Sequence, residues 1–567
     1  MNFKEKIAEL LAKETGLEKG EIEALLAKPP QGMGDYAFPC FMLAKTRKES
    51  PVEVSKALES GISADFIEKV EAKGPYLNIF LTKSSLSSET IKKILSKKWA
   101  FSKTKKGKVM LEYSSPNTNK PLHVGHLRNN AIGAAVANLL EESGQKVIKA
   151  NLVNDRGVHI CKSMVAYEMF AQGKTPESEH KKSDHFVGDM YVLFSQKEKE
   201  KVELEEDAQE MLRAWEKGDK KTVALWKKMN SWALSGIKET YKEFGTEFDQ
   251  WFFESDTFRK GNGKKIVEEG LEKEIFEKEE DGAIVAVLEP EMQNKVLVRN
   301  DGTSLYVTND LGLTEEKFEK FELDESIWVV ANEQDLYFRQ LFKIFEKLER
   351  KWAKKCRHLS YGYVSLPSGR MKSREGTVVD ADDLISEIKK LAEEEIESRY
   401  KKISAKEKNK RAKAIALGAI KFYLLKNDAK KDMVFEPEKS ISFEGETGPY
   451  IQYSYARAKS ILRKAGKKKT RITKKDFALL AHEKEKELLI ALSNFDDAVS
   501  RSILELSPHH LAHALLAVSE KFNSFYQHLS VLDGGKEKNA RIVLVEATAV
   551  VLKKGLGLLG IDALEEM

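Results

Sequence analysis

The sequence predicts a multidomain α/β protein: a small α+β segment, a central domain on a parallel sheet, and an all-helical C-terminal part. Three observations predict it. A short apolar run, Val109-Met110-Leu111, is followed by a polar turn and then by Leu127, Ile132, Val136 and Leu139–Leu140 at helical spacing. A second apolar run, Val147 to Val153, follows where a right-handed strand–helix–strand crossover would place a parallel strand. From about residue 385 strand alternation ends, and helical stripes such as Ile415, Leu417, Ile420, Leu424 and Leu425 take over.

The totals agree. A chain of 567 residues is too long for one core. With 41% hydrophobic and 33% charged residues it reads as globular, not disordered. No apolar run approaches the roughly twenty residues of a membrane span. The amphipathic start, MNFKEKIAELLAKETG, lacks a secretory apolar segment, so the expectation is a cytoplasmic protein. Cys40, Cys161 and Cys356 are too few and too scattered for a disulfide framework or a zinc site. A net charge of +5 requires any polyanion to meet local basic patches.

Residues 1–105 form the first predicted domain. Phe3, Ile7, Leu10 and Leu11 make a helix face, and Leu77, Ile79 and Leu81 alternate as in a strand. A Gly/Pro-marked segment, 29–36, lies between them, and the basic connector Lys103–Lys108 follows. The central domain spans 109–385. Its first strand runs into a loop with Pro116 and Pro121, then into a helix beginning near His123. Free N–H groups at such a helix start suit an anion, two imidazoles can reach a phosphate, and Gly125 permits close approach of a flat ligand. The second strand leads to Asn154-Asp155-Arg156-Gly157, a loop expected to meet 115–126 beyond the strand ends.

Residues 160–280 read as a charged helical insertion, with Trp215, Leu225, Trp226, Met229, Trp232, Leu234 and Ile237 as packing. The sheet is expected to resume at Ile284–Leu288 and Val296–Arg299, with a turn at Asn300-Asp301-Gly302. Further strands are expected at Ile327–Val330 and 359–366. Tyr306, Asp310 and Gln334 fall at or just past predicted strand ends. Ser368 to Thr377 is a cation-rich, glycine-bearing loop suited to closing on a triphosphate. In the helical part, Phe443 to Arg457 interleaves tyrosines, a glutamine and an arginine at a helix start, a pattern suited to base stacking and phosphate contact.

The string Ser115-Pro116-Asn117…Lys120-Pro121-Leu122-His123-Val124-Gly125-His126-Leu127-Arg128 resembles the HIGH signature of class I aminoacyl-tRNA synthetases in its arginyl-tRNA synthetase form. The loop Arg370-Met371-Lys372-Ser373-Arg374 is similar to the second signature, KMSKS, with Ser373 where the second lysine would stand. The resemblance implies a Rossmann-like catalytic domain at 109–385. It also implies an N-terminal domain that touches the tRNA elbow, and an anticodon-binding helical domain within 386–567.

It further implies activation of L-arginine by ATP, carried with Mg2+ as substrate and without a protein metal site, and transfer to tRNA(Arg) by a monomer. His123, His126, Lys120, Lys372 and Arg374 would be catalytic, Lys120 supplying the charge of the missing lysine. ATP would meet His123, Gly125, His126, Met371 and Lys372. Arginine would meet Ser115, Asn117, His126, Asn151, Tyr306, Asp310 and Gln334. A planar, always charged guanidinium needs a carboxylate plus neutral acceptors, and Asp310 supplies the carboxylate. Glu444, Tyr450, Gln452, Tyr453 and Arg457 would contact tRNA. Two other readings are a class I synthetase for another amino acid, such as lysine or cysteine, and a catalytically inactive tRNA-binding relative.

Overall fold

The computed structural model describes residues 3–27, 29–30, 32–99, 101, 104–201, 203–365, 367, 379–399, 403–466 and 473–567. Five strands form a parallel sheet at its centre, in the spatial order Cys356–Tyr361, Glu325–Ala331, Lys108–Glu112, Lys146–Val153, Gln250–Phe253. Winding reverses between the first of these five strands along the chain, Lys108–Glu112, and the fourth, Glu325–Ala331, the position at which such sheets open a crevice for ligands. Val109, Met110 and Leu111 are fully buried, as a central strand covered on both faces requires. The helix Val124–Glu142 makes the first crossover and starts beside that crevice.

Three expectations change. The stretch 160–280 contains a strand of the core sheet, Gln250–Phe253, paired in parallel with Lys146–Val153. Four residues give too little periodicity to separate a strand from the helices around it. The runs at 284–299 do not resume the core sheet. With Phe276–Lys278 they form a separate antiparallel sheet, Phe276–Lys278/Ile284–Ala286/Lys295–Val298. Its strands mix buried residues with exposed or half-buried ones, the mark of a sheet covered on one face. Finally, Tyr306 and Asp310 do not follow a strand. They stand one turn apart at the start of the helix Tyr306–Phe321. The Asn300-Asp301-Gly302 turn forms as expected, Gly302 taking φ 83°.

The insertion packs the helices Val158–Phe170, Ser183–Glu198, Leu204–Glu216 and Lys220–Phe244 around Trp215, Trp226 and Met229, so the tryptophans are packing residues. The N-terminal core joins Phe3, Ile7 and Leu11 to Leu77, Ile79 and Leu81. The next helix, Lys83–Leu95, turns away and buries Ile91 and Ile94 in the main core with Phe495. That core runs without a break from the helix Val124–Glu142 through Ala405–Leu425 to Lys538–Leu558.

Candidate active site

The helix Val124–Glu142 is capped by its own two imidazoles. His123 sits at the N-cap with φ −131° and ψ 174°, and its Nδ1 accepts the Gly125 N–H at 3.1 Å. His126 Nδ1 accepts the His123 N–H, also at 3.1 Å. The pair reproduces the reciprocal bonds of a capping box with histidines in place of the usual side chains. The rings lie 4.0 Å apart between centroids. Burial, with help from Lys120, lowers His123 to about 3 and holds His126 well below the ordinary imidazole value. Both rings are therefore neutral, and with each Nδ1 accepting, the proton sits on Nε2. Two Nε2–H donors at a helix start make a site for phosphate or sugar oxygens.

Gly125 serves this cap. A Cβ there would stand 2.8 Å from His123 Cε1, so the missing side chain makes room for the imidazole. The sequence reading gave that space to a ligand.

The strand end before the helix is strained and braced. Ser114 and Ser115 both hold positive φ, 77° and 46°. Asn151 accepts the Ser115 N–H at 3.1 Å and donates to Tyr241 at 3.2 Å, while Asn154 donates to the Ser115 carbonyl at 3.1 Å. The loops at 115–118 and 151–157 thus meet as the crossover predicts. Asn129, inside the helix, accepts from the Ser114 N–H and donates to Val329 O at 2.7 Å and to the Tyr361 hydroxyl at 3.1 Å. One amide ties the histidine helix to three strand ends. Arg128 donates to four carbonyls: Gly362 at 2.7 Å, Tyr363 at 3.0 Å, Ala429 at 3.1 Å and Lys431 at 2.8 Å.

Beyond the strand ends lies a cavity of about 400 Å³, walled by Asn117, Asn119, Lys120, Asn154, Arg156, His159, Ile160, Tyr191, Glu254 and Tyr306. Burial lowers the Lys120 ammonium, whose charge also acts on both imidazoles. Tyr306 is 60% exposed at its helix start, and its hydroxyl lies beside Gly157. One turn on, burial raises Asp310 to about 6 while the Tyr337 hydroxyl bonds its carboxylate. The buried Lys317–Glu112 ion pair pins the same helix to the central strand two turns further along.

Glu254, at the carboxyl end of the strand Gln250–Phe253, is 5% exposed, and neither carboxylate oxygen has a hydrogen-bond partner among the described residues. Burial raises it to about 8, with Asp310 and Asp155 adding to the rise. The buried Glu254 carboxyl and the Tyr306 ring line one cavity, and the Asp310 carboxyl acts on Glu254 from close by, an arrangement that calls for a planar cation.

The structure brings Lys120, Asn117 and Tyr306 to one cavity, with Asp310 adjoining it electrostatically through Glu254. Gln334 lies in the short 3-10 turn Asn332–Gln334, directly past the strand Glu325–Ala331 as expected, and is exposed. Asn151 is fully buried and bonded to the Ser115 turn and Tyr241. Met371, Lys372 and Arg374 lie outside the described residues. Glu254, Arg156 and Asn129 were missed. Only the buried polar run Arg128-Asn129-Asn130 in an otherwise apolar helix hinted at the last.

In the helical part, Tyr450, Tyr453 and Arg457 lie along the helix Gly448–Ala465. The Arg457 guanidinium stacks 4.7 Å from the Tyr453 ring and 5.0 Å from that of Tyr526, and Glu444 is exposed. Gln452 departs from the expectation of tRNA contact. It is fully buried, and its amide donates to Ala414 O at 3.1 Å and Asp562 O at 2.8 Å.

The comparisons agree with this geometry. Residues 90–437 match the family model described as tRNA synthetases class I (R), catalytic domain. Residues 451–567 match the DALR anticodon binding domain, and 1–81 the arginyl tRNA synthetase N terminal domain. An arginine–tRNA ligase of Treponema denticola is 46% identical over 95% of this chain and 94% of its own length. One of Borreliella burgdorferi is 40% identical over 98% and 97%. Among solved structures, the arginyl-tRNA synthetase of Thermus thermophilus superposes with a TM-score of 0.84 at 28% identity, covering 99% of each chain.

Proposed function

The chain belongs to the arginyl-tRNA synthetases of class I and is an arginine–tRNA ligase, and from that premise we propose how its own residues divide the work. Arginine, ATP and tRNA are the substrates. The observation that carries the assignment is the buried Glu254 carboxyl, without a hydrogen-bond partner among the described residues, in the wall of the cavity beside Lys120, with the Asp310 carboxyl near enough to act on it.

The Nε2–H donors of His123 and His126 hold oxygens of ATP at the helix start, with Gly125 and, outside the described residues, Met371 completing the nucleotide site. Arginine enters with its guanidinium between Asp310 and Glu254 and its stem along Tyr306. Its carboxylate and amine are held by the Ser115–Asn117 turn and His126, Gln334 joins the side-chain contacts, and Asn151 acts through its grip on Ser115. The carboxylate then attacks the α-phosphate in line. Lys120, with Lys372 and Arg374, meets the charge passing to pyrophosphate. Positioning and electrostatics supply the acceleration, and no covalent nucleophile is needed. The terminal adenosine of tRNA next attacks the adenylate.

Magnesium would come with the nucleotide's phosphates. Among the described residues, one acidic cluster has metal-ligand spacing, Asp184, His185 and Asp382, and the Lys182 ammonium already sits there, 2.5 Å from Asp382. Tyr450, Tyr453, Arg457 and Glu444 are assigned to the tRNA surface, whereas Gln452 holds the helices together. We place the protein in the cytoplasm as a monomer; a sedimenting mass near twice 64.3 kDa would overturn the latter.

A charging assay with all twenty amino acids and total tRNA tests the whole reading. Arginine alone should be esterified, and ATP–pyrophosphate exchange should depend on arginine. Charging of lysine at a comparable rate would refute the pocket assignment, and no charging at all would refute the active-enzyme reading.

A further inference from the structure

Glu254 is buried at a strand end, and among the described residues both carboxylate oxygens lack a hydrogen-bond partner and the nearest cation is Arg156, whose guanidinium nitrogen lies 3.8 Å from Oε1. That separation gives attraction without a hydrogen bond, so both oxygens keep their lone pairs. Arg156 is restrained from moving closer. Its other nitrogen donates to Glu216 at 2.6 Å, and its plane stacks 3.9 Å from the Phe258 ring. Its side chain is only 10% exposed.

We propose that Arg156 is a positioning residue for amino-acid selection: it stands beside the Glu254 carboxyl without bonding it and favours the charged form that an incoming guanidinium needs. The proposal rests on reading Glu254 as a wall of the arginine pocket.

The groups facing Glu254 fix the sign of the effect. Asp310 and Tyr306 face it from the helix Tyr306–Phe321, Asp155 from the 154–157 loop, and Tyr337 from the next helix; Lys120 and His159 share its cavity. Burial and the neighbouring acids favour the protonated carboxyl, and Arg156 opposes them. Arginine binding near pH 7 therefore releases a proton from Glu254. The KM for arginine should fall as pH rises through about 8 and level off above it. Without Arg156 that titration moves to higher pH.

The test is arginine KM in pyrophosphate exchange from pH 6.5 to 9.5, at saturating ATP and tRNA, for the full chain and three variants. Arg156→Gln should raise arginine KM about tenfold at pH 7 for each unit the titration moves. The gap should close toward pH 9.5, with ATP KM unchanged. Arg156→Lys retains the charge and should keep the parental midpoint even if Arg156→Gln fails to fold. A KM penalty constant across pH, or a midpoint moved equally by lysine, would overturn the proposal. Glu254→Gln separates the two layers. If it leaves arginine KM unchanged, the pocket reading fails; if it raises KM while Arg156→Gln does not, only the role of Arg156 fails.

Discussion

His123 has two duties that substitution can separate: its Nδ1 caps a helix, and its Nε2–H is offered to the nucleotide. Asparagine is among the best N-cap residues, while alanine is poor there and costs about 1 kcal/mol at such sites. His123→Asn should melt within about 2 °C of the parent yet lose on the order of a hundredfold in adenylate formation. His123→Ala should lose both activity and stability. Equal activity for asparagine and histidine would show that the cap alone matters. The helix start at the HVGH string was legible because a polar turn followed by apolar residues at helical spacing marks it. Glu254 was not, since its signal is the absence of partners around a buried carboxylate, which no sequence pattern encodes.

At the scale of elements, the register of the helix Tyr306–Phe321 decides where Tyr306 and Asp310 point. It crosses the helix Asn262–Glu272 through glycines: a Cβ on Gly312 would stand 2.5 Å from Gly263 N, and one on Gly263 would stand 2.0 Å from Thr308 O. Both collisions are with backbone, which yields only if a helix shifts. Gly312→Ala should therefore cost about 1–3 kcal/mol by overpacking. Because the displaced turn carries Asp310, arginine KM should rise several-fold while ATP KM stays within twofold. A pure stability loss with unchanged KM would mean that the helix recovers its register. The same helix shows why the sequence reading missed here. The turn signal at Asn300-Asp301-Gly302 is a hairpin signal, so Tyr306 and Asp310 are expected at or just past a strand end, whereas the helix Tyr306–Phe321 begins there. The strand Gln250–Phe253 escaped for the opposite reason: tertiary pairing, not local periodicity, makes it a strand.

Over the whole molecule, the histidine helix belongs to two bodies, and Arg128 joins them. Its guanidinium is fully buried and donates to Gly362 and Tyr363 at the sheet edge and to Ala429 and Lys431 in the turn after the helix Ala405–Leu425. Burial lowers it to about 10, and carbonyls rather than a hydrogen-bonded carboxylate meet its two terminal nitrogens, while Nε has no partner among the described residues. Arg128→Met would strand four acceptors at about 1–3 kcal/mol each where water cannot replace the donor, partly offset by no longer burying a cation. A net loss of about 3 kcal/mol follows, concentrated where the two bodies meet. Calorimetry should show the catalytic and helical parts melting in separate steps, the first several degrees below the parent transition. Arg128→Lys, a single ammonium unable to span both pairs of carbonyls, should fall between. One cooperative transition, merely shifted, would instead assign the coupling to the continuous apolar core that both bodies share, and the guanidinium would be a local brace for the 362–363 and 429–431 turns.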